Sequence, residues 1–139
     1  ILKKKNFLNK RNIFINKHSS LLPSYKGLMP FIRTKINNDK NGVTFHLVNN
    51  KIDSGKILYQ NVINKKFRSM VDFYIYIFQQ FPSGLIKAIN NLKKNRYKKN
   101  VYKNSYYSIP TKNDYEKFKN CGGNIILFFD FLNIDKIIK

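Results

Sequence analysis

Asn16-Lys17-His18-Ser19-Ser20-Leu21-Leu22-Pro23-Ser24-Tyr25-Lys26-Gly27 is the stretch on which the fold turns. Three consecutive apolar residues, Ile13, Phe14 and Ile15, precede it. An apolar run bounded by turn formers reads as a strand covered on both faces, so residues 12–16 are expected to be a short buried strand of a parallel sheet. Beyond it, His18, Ser19, Ser20, Pro23, Ser24 and Gly27 come too densely for regular structure, and a loop is expected. Asn16 and His18 then stand where the chain leaves a strand at its carboxyl end. In an open α/β sheet that end is where ligands bind.

Working outward, Pro30 suits the first turn of a short helix over residues 30–37, because it gives up only an amide that has no helical partner. Residues 42–48 and 56–63 read as two strands, joined by the polar loop 49–55, which contains Asp53, Ser54 and Gly55. Residues 67–94 carry Met70, Phe73, Tyr74, Ile77, Phe78, Leu85, Ile86, Ile89 and Leu92 at helical spacing, with Pro82 and Gly84 marking a break between two helices. A basic linker follows over residues 93–103. Thr111 can cap a helix over residues 113–120, Gly122 and Gly123 can end it, and residues 124–129 are expected to form a last strand.

The chain has 139 residues, 42% of them hydrophobic, enough for one modest core. Twenty-seven Lys and Arg against seven Asp and Glu give a formal charge of +20, which attracts polyanions such as RNA, anionic lipid or a polyglutamylated cofactor. The excess is mostly lysine, spread over the whole chain beside abundant Asn, Ile, Phe and Tyr. Compositional bias filling solvated positions is therefore preferred to a functional charge. The single cysteine, Cys121, excludes an internal disulfide and fits a reducing, cytoplasmic setting. No apolar run approaches the roughly 20 residues of a membrane helix. The chain opens on Ile1 with a motif almost at once, so further sequence upstream is expected.

Asn16, His18 and Asp53 stand out, because each follows or interrupts an apolar strand. An amide, an imidazole and a carboxylate can together run acyl transfer without a covalent intermediate. The amide and a protonated imidazole stabilise an oxyanion, while the carboxylate orients the histidine, raises its pKa and helps to move protons. Taken singly, each also has an ordinary reading as a turn or surface residue.

The stretch quoted above resembles the Asn-x-His-x-Ser-Leu-Leu-Pro-x-Tyr-x-Gly signature of the 10-formyltetrahydrofolate-dependent formyltransferases, which act on methionyl-tRNA, glycinamide ribonucleotide and sugar nucleotides. A second block, Gly42-Val43-Thr44-Phe45-His46-Leu47-Val48 followed by Ile52-Asp53-Ser54-Gly55, is similar to that family's Gly-Val-Thr-x-His strand and Asp-x-Gly turn. The resemblance implies an α/β fold: the C-terminal half of a Rossmann-like domain, a mixed sheet flanked by helices. It implies a partial catalytic domain over residues 1–94 and a helix-strand extension over residues 95–139 packing on it. It further implies that Asn16, His18 and Asp53 are catalytic, that His46 lies near them, and that Val48, Asn49, Asn50, Lys51, Ile52 and Asp53 line a pterin pocket. The implied co-substrate is 10-formyltetrahydrofolate without a metal, and the implied partner is an amine acceptor, with tRNA not favoured. Ser20, Pro23 and Gly27 are expected to shape the loop. The chain departs from the signature at Ser19, where proline is common, and at Lys17, which replaces an apolar residue.

Two other readings stay open. Tyr97, Tyr102, Tyr106 and Tyr107 interleave with Arg96, Lys98, Lys99 and Lys103, which would suit a non-catalytic RNA-binding or interaction module. An inactive remnant of the same fold is the other.

Overall fold

The computed structural model describes residues 12–132. A three-stranded antiparallel sheet in the order β1-β3-β4 is built from β1 (Ile15–His18), β3 (Asn41–Leu47) and β4 (Ile57–Ile63). A second, two-stranded parallel sheet pairs β2 (Lys26–Gly27) with β5 (Tyr106–Tyr107). The helices are α1 (Pro30–Ile36), α2 (Met70–Gln79), α3 (Phe81–Lys93) and α4 (Lys112–Asn120). The mixed α/β architecture is the one expected, but three elements differ from their sequence reading.

The first is β1. It begins at Ile15, runs to His18 and pairs antiparallel with β3, while Ile13 is 66% exposed rather than buried inside a parallel sheet. Asn16 and His18 therefore lie within the strand and not in the loop beyond it. A strand's period of two puts both on one face, which a run of apolar letters does not reveal. The second is the helical break. It falls at Gln80, and Pro82 and Gly84 lie inside α3, Pro82 in its first turn. Gly84 is there because α3 crosses the sheet closely: a Cβ on it would come 2.5 Å from the Phe45 ring.

The third is the expected last strand over residues 124–129, which is not formed. The carbonyls of Asn124 and Ile125 instead accept from the amides of Met70 and Val71, two of the orphan donors in the first turn of α2. Helical geometry then starts at residue 128. Buried Asp130 fixes this arrangement by accepting from Ser69 Oγ (2.7 Å) and the Leu127 amide (2.6 Å). The extension after the basic linker is thus strand, helix and helical turn.

One face of the sheet presents Val43 and Phe45, which pack with Leu58 and Ala88 and with the flanking Phe81, Leu85 and Leu92 of α3. A second cluster joins Phe31 and Ile32 of α1, Ile63 of β4, Phe73 and Ile77 of α2, and Phe118 of α4. Phe78 and Ile86, expected in the core from their spacing, are 64% and 59% exposed, so the helices bury a narrower stripe than they carry. Among the described residues no helix is long and apolar enough to cross a membrane.

Phe73 is fully buried, stacked on Phe31 at 4.7 Å and edge-on to Phe67 at 5.1 Å. Phe73→Ala should destabilise the fold by about 3–5 kcal/mol, seen as a lower urea midpoint at unchanged slope. A loss under about 1 kcal/mol would mean that this cluster is not the core.

Candidate active site

The β1–β3 register sets Asn16 opposite His46 and His18 opposite Thr44. Residues opposed across an antiparallel pair share a face, so these four side chains form one polar face, and Phe45 and Val43 point to the other. Lys17, also on the far face, is half-buried, and burial pushes its ammonium pKa down. Beyond β3 the chain loops out and returns, and Asp53, at φ 45°, swings back over the polar face. Aspartate tolerates the left-handed region better than most residues.

The three residues singled out from sequence come together. Asn16 Nδ2 donates to Asp53 Oδ1 at 3.4 Å, and His18 Nδ1 lies 3.6 Å from Asp53 Oδ2. His46 joins them, with Nε2 at 3.2 Å from Asn16 Nδ2 and 3.6 Å from Asp53 Oδ1. Its Nδ1–H donates to the Leu47 carbonyl at 2.9 Å, which leaves Nε2 free to accept from the Asn16 amide. His18 Nε2–H donates to the Tyr25 carbonyl at 2.8 Å, so the proton that His18 gains or loses is the one on Nδ1, facing Asp53.

Electrostatics separates the partners. Burial pushes the His18 pKa below the ordinary imidazole value. Asp53 and the Tyr25 carbonyl pull it back up without cancelling that effect, and His46 and Lys17 add to the lowering. Asp53 thus acts in the direction expected from sequence, but desolvation is larger. For Asp53 itself, burial disfavours the charged form, yet the neighbouring His46 and His18 and the 2.9 Å bond from the Gly27 amide outweigh it and hold the carboxyl below its usual range.

The loop after β1 is fixed by polar groups of the strands and of the loop itself. Buried Thr44 donates to the Ser20 carbonyl at 2.6 Å and accepts from the Leu22 amide and from Gln60 Nε2. Gln60 also donates to the Leu22 carbonyl, and Ser20 Oγ donates to the Ser24 carbonyl at 2.7 Å. Gly27, at φ 98°, turns its amide toward Asp53; a Cβ there would sit 2.0 Å from the Tyr107 carbonyl. Thr44 stood in the Gly-Val-Thr-x-His block without a role assigned to it, and Gln60 carried no signal in the sequence.

Beside this cluster Lys26, Asn49, Asn50, Lys51, Ser54 and Asn104 line an open cavity of about 670 Å³, within the ~300–1,000 Å³ typical of small-molecule sites. Lys26 Nζ donates to Ser54 Oγ at 3.1 Å across its floor. Of the loop residues expected to hold a cofactor, Asn49, Asn50 and Lys51 face this cavity, Ile52 is 62% exposed, and Asp53 belongs to the polar cluster. Among the described residues no group of three or more His, Cys, Asp and Glu is arranged to hold a metal ion.

Residues 1–68 match the formyl transferase family model. The chain is 37% identical over 82 residues to the methionyl-tRNA formyltransferase of Borrelia duttonii, covering 58% of this chain and 26% of that protein, about a quarter of its length. In structure it is similar to the Helicobacter canadensis N-formyltransferase in complex with folinic acid and dTDP-3-aminofucose, with TM-score 0.55, 26% identity, and 78% and 47% of the two chains covered. It shares the fold of the formyltransferase PseJ of Anoxybacillus kamchatkensis, crystallised with a UDP-formamido sugar and tetrahydrofolate, with TM-score 0.61, 22% identity, and 73% and 56% covered.

The His18 imidazole should titrate below an unstructured histidine, and Asp53→Asn should move it lower still, because the one raising charge is removed. Since the unfolded chain binds that proton more readily, stability should fall as pH drops through the ordinary imidazole value. NMR titration of the two histidines checks both, and a His18 pKa that rises in Asp53→Asn would contradict the arrangement.

Proposed function

We propose, from the match of residues 1–68 to the formyl transferase family model, that this chain moves a formyl group from 10-formyltetrahydrofolate to an amine. The observation that carries the reading is the convergence of Asn16, His18 and Asp53 through contacts of 3.4 and 3.6 Å. The co-substrate supplies the formyl carbon. We assign its pterin to the loop Val48, Asn49, Asn50, Lys51, Ile52 and Asp53, where exposed backbone groups and the bare Ile52 side chain offer edge hydrogen bonds and apolar cover.

The side chains divide the work. Asn16 spends one amide hydrogen on His46 at 3.2 Å and the other on the longer, weaker contact to Asp53. The weaker bond is the one an oxygen gathering negative charge would replace, which makes Asn16 the oxyanion donor. His18 Nδ1 is the position that takes a proton from an attacking amine, and Asp53, ionised and held by Gly27, stabilises the imidazolium that results. A neutral His18 at neutral pH is the form that can accept.

The acceptor class is an amine, small-molecule, sugar-borne or carried on a tRNA. One relative is named for methionyl-tRNA and one structure holds dTDP-3-aminofucose, and an open, lysine-rimmed cavity beside the cluster agrees with an acceptor that carries negative charge. A single, exposed thiol, Cys121, agrees with a cytoplasmic setting. Of the four tyrosines on which the RNA-module reading rests, Tyr107 is stacked on Tyr25 and covered by Arg33, whereas Tyr97 and Tyr106 are exposed.

Asp53→Asn should lower kcat by about 10²–10⁴-fold, with tetrahydrofolate affinity changed far less. Formyl transfer and folate titration on the same protein check it, and unchanged turnover would remove Asp53 from the mechanism.

A further inference from the structure

We propose that residues 103–107 form a positioning strap that holds His18 and Asp53 in their working places, with Ser105 as its principal clamp. The proposal's consequence for turnover rests on the formyltransferase reading; its consequence for His18 does not. Every polar group of Ser105 is spent on the loop after β1. Its amide donates to the Pro23 carbonyl at 3.2 Å, its carbonyl accepts from the Lys26 amide at 3.0 Å, and its hydroxyl oxygen accepts from the Tyr25 amide at 2.8 Å. Ser24 Oγ donates to the Lys103 carbonyl at 2.6 Å, and the Leu28 amide donates to the Tyr107 carbonyl at 3.2 Å.

The clamped loop is the one that serves the polar cluster. Tyr25 supplies the carbonyl that binds His18 Nε2, and Gly27 the amide that binds Asp53 Oδ2. Each reacting group is therefore one residue removed from the strap: Ser105 Oγ holds the Tyr25 amide while the Tyr25 carbonyl holds His18. The loop needs an outside hold, because Tyr25 at φ 58° is in the left-handed region, a conformation that a non-glycine residue retains only where surrounding contacts over-determine it. Strap and loop also fit one another sterically, the Tyr107 carbonyl occupying the space that a Cβ at residue 27 would take.

From Tyr107 the restraint continues into the body of the fold. Its ring stacks on Tyr25 with centroids 5.7 Å apart and lies under the Arg33 guanidinium at 4.9 Å. Arg33 is in turn held by both carboxylate oxygens of Asp114, in the capping box that starts α4. The extension is thereby anchored at α4 before it reaches the loop.

The test compares the full chain with Ser105→Ala, Ser105→Thr and Ser24→Ala. Two readouts are used: solvent exchange of the His18 Nε2 proton by ¹H–¹⁵N NMR, and kcat against KM for formyl transfer. His18 faces Asp53, His46 and Lys17 in all of them, so only the loop differs. Ser105→Ala should speed that exchange and lower kcat by about tenfold each, with KM for the folate little changed. Ser105→Thr, which keeps the hydroxyl, should restore both. If Ser105→Ala does not fold, Ser24→Ala, which removes one peripheral clamp, should show the same change in smaller measure. Unaltered His18 exchange in a folded clamp variant overturns the strap whatever the turnover. Faster exchange in a protein whose parent transfers no formyl group keeps the strap and removes the formyltransferase reading.

Discussion

Asn16 pairs with His46 across β1 and β3, and most of what this chain presents to a ligand follows from that register. A slip of one residue would turn Asn16 and His18 onto the face occupied by Phe45 and Val43 and bring Lys17 into their place. The register is held from both sides. Apolar residues of β3 need the cover of α3, and Thr44, opposite His18, has its hydroxyl fully engaged with the Ser20, Leu22 and Gln60 groups of the polar face. With the strands so fixed, the β3–β4 loop has only to return far enough for Asp53 to meet the two side chains already in place.

The polar face combines features that would each cost stability alone. His18 and His46 are buried, Asp53 is largely so, and Tyr25 and Asp53, neither of them glycine, adopt positive φ. Buried polar groups are tolerable when each finds a partner, and here the partners are largely one another and the backbone of the clamped loop. Such mutual dependence makes a constellation rigid, which is what acyl transfer by positioned donors requires. It also ties the site to residues far along the chain, through Ser105 and Tyr107.

How much of this could be read from the letters depends on whether the information is local. The β3–β4 hairpin, α1 behind Pro30 and the α4 cap at Thr111 each follow from a few adjacent residues and stand where expected. Asn16, His18 and Asp53 were singled out through two motif blocks and a resemblance, and the fold brings their side chains together. The direction of β1 was not legible, since a short apolar run is compatible with either pairing. Residues 124–129 look like a strand by composition, but the unpaired amides of α2 and the buried Asp130 claim that segment. Ser105 carried no signal at all, because its role depends on contacts with residues some 80 positions earlier.

The most direct measurement is the structure of this chain with folinic acid bound. The account places the ligand's ring system against residues 48–53, with its formyl-bearing side toward Asn16, His18 and Asp53. A ligand seated away from that face, or touching the loop while those three side chains contact only each other, would contradict it.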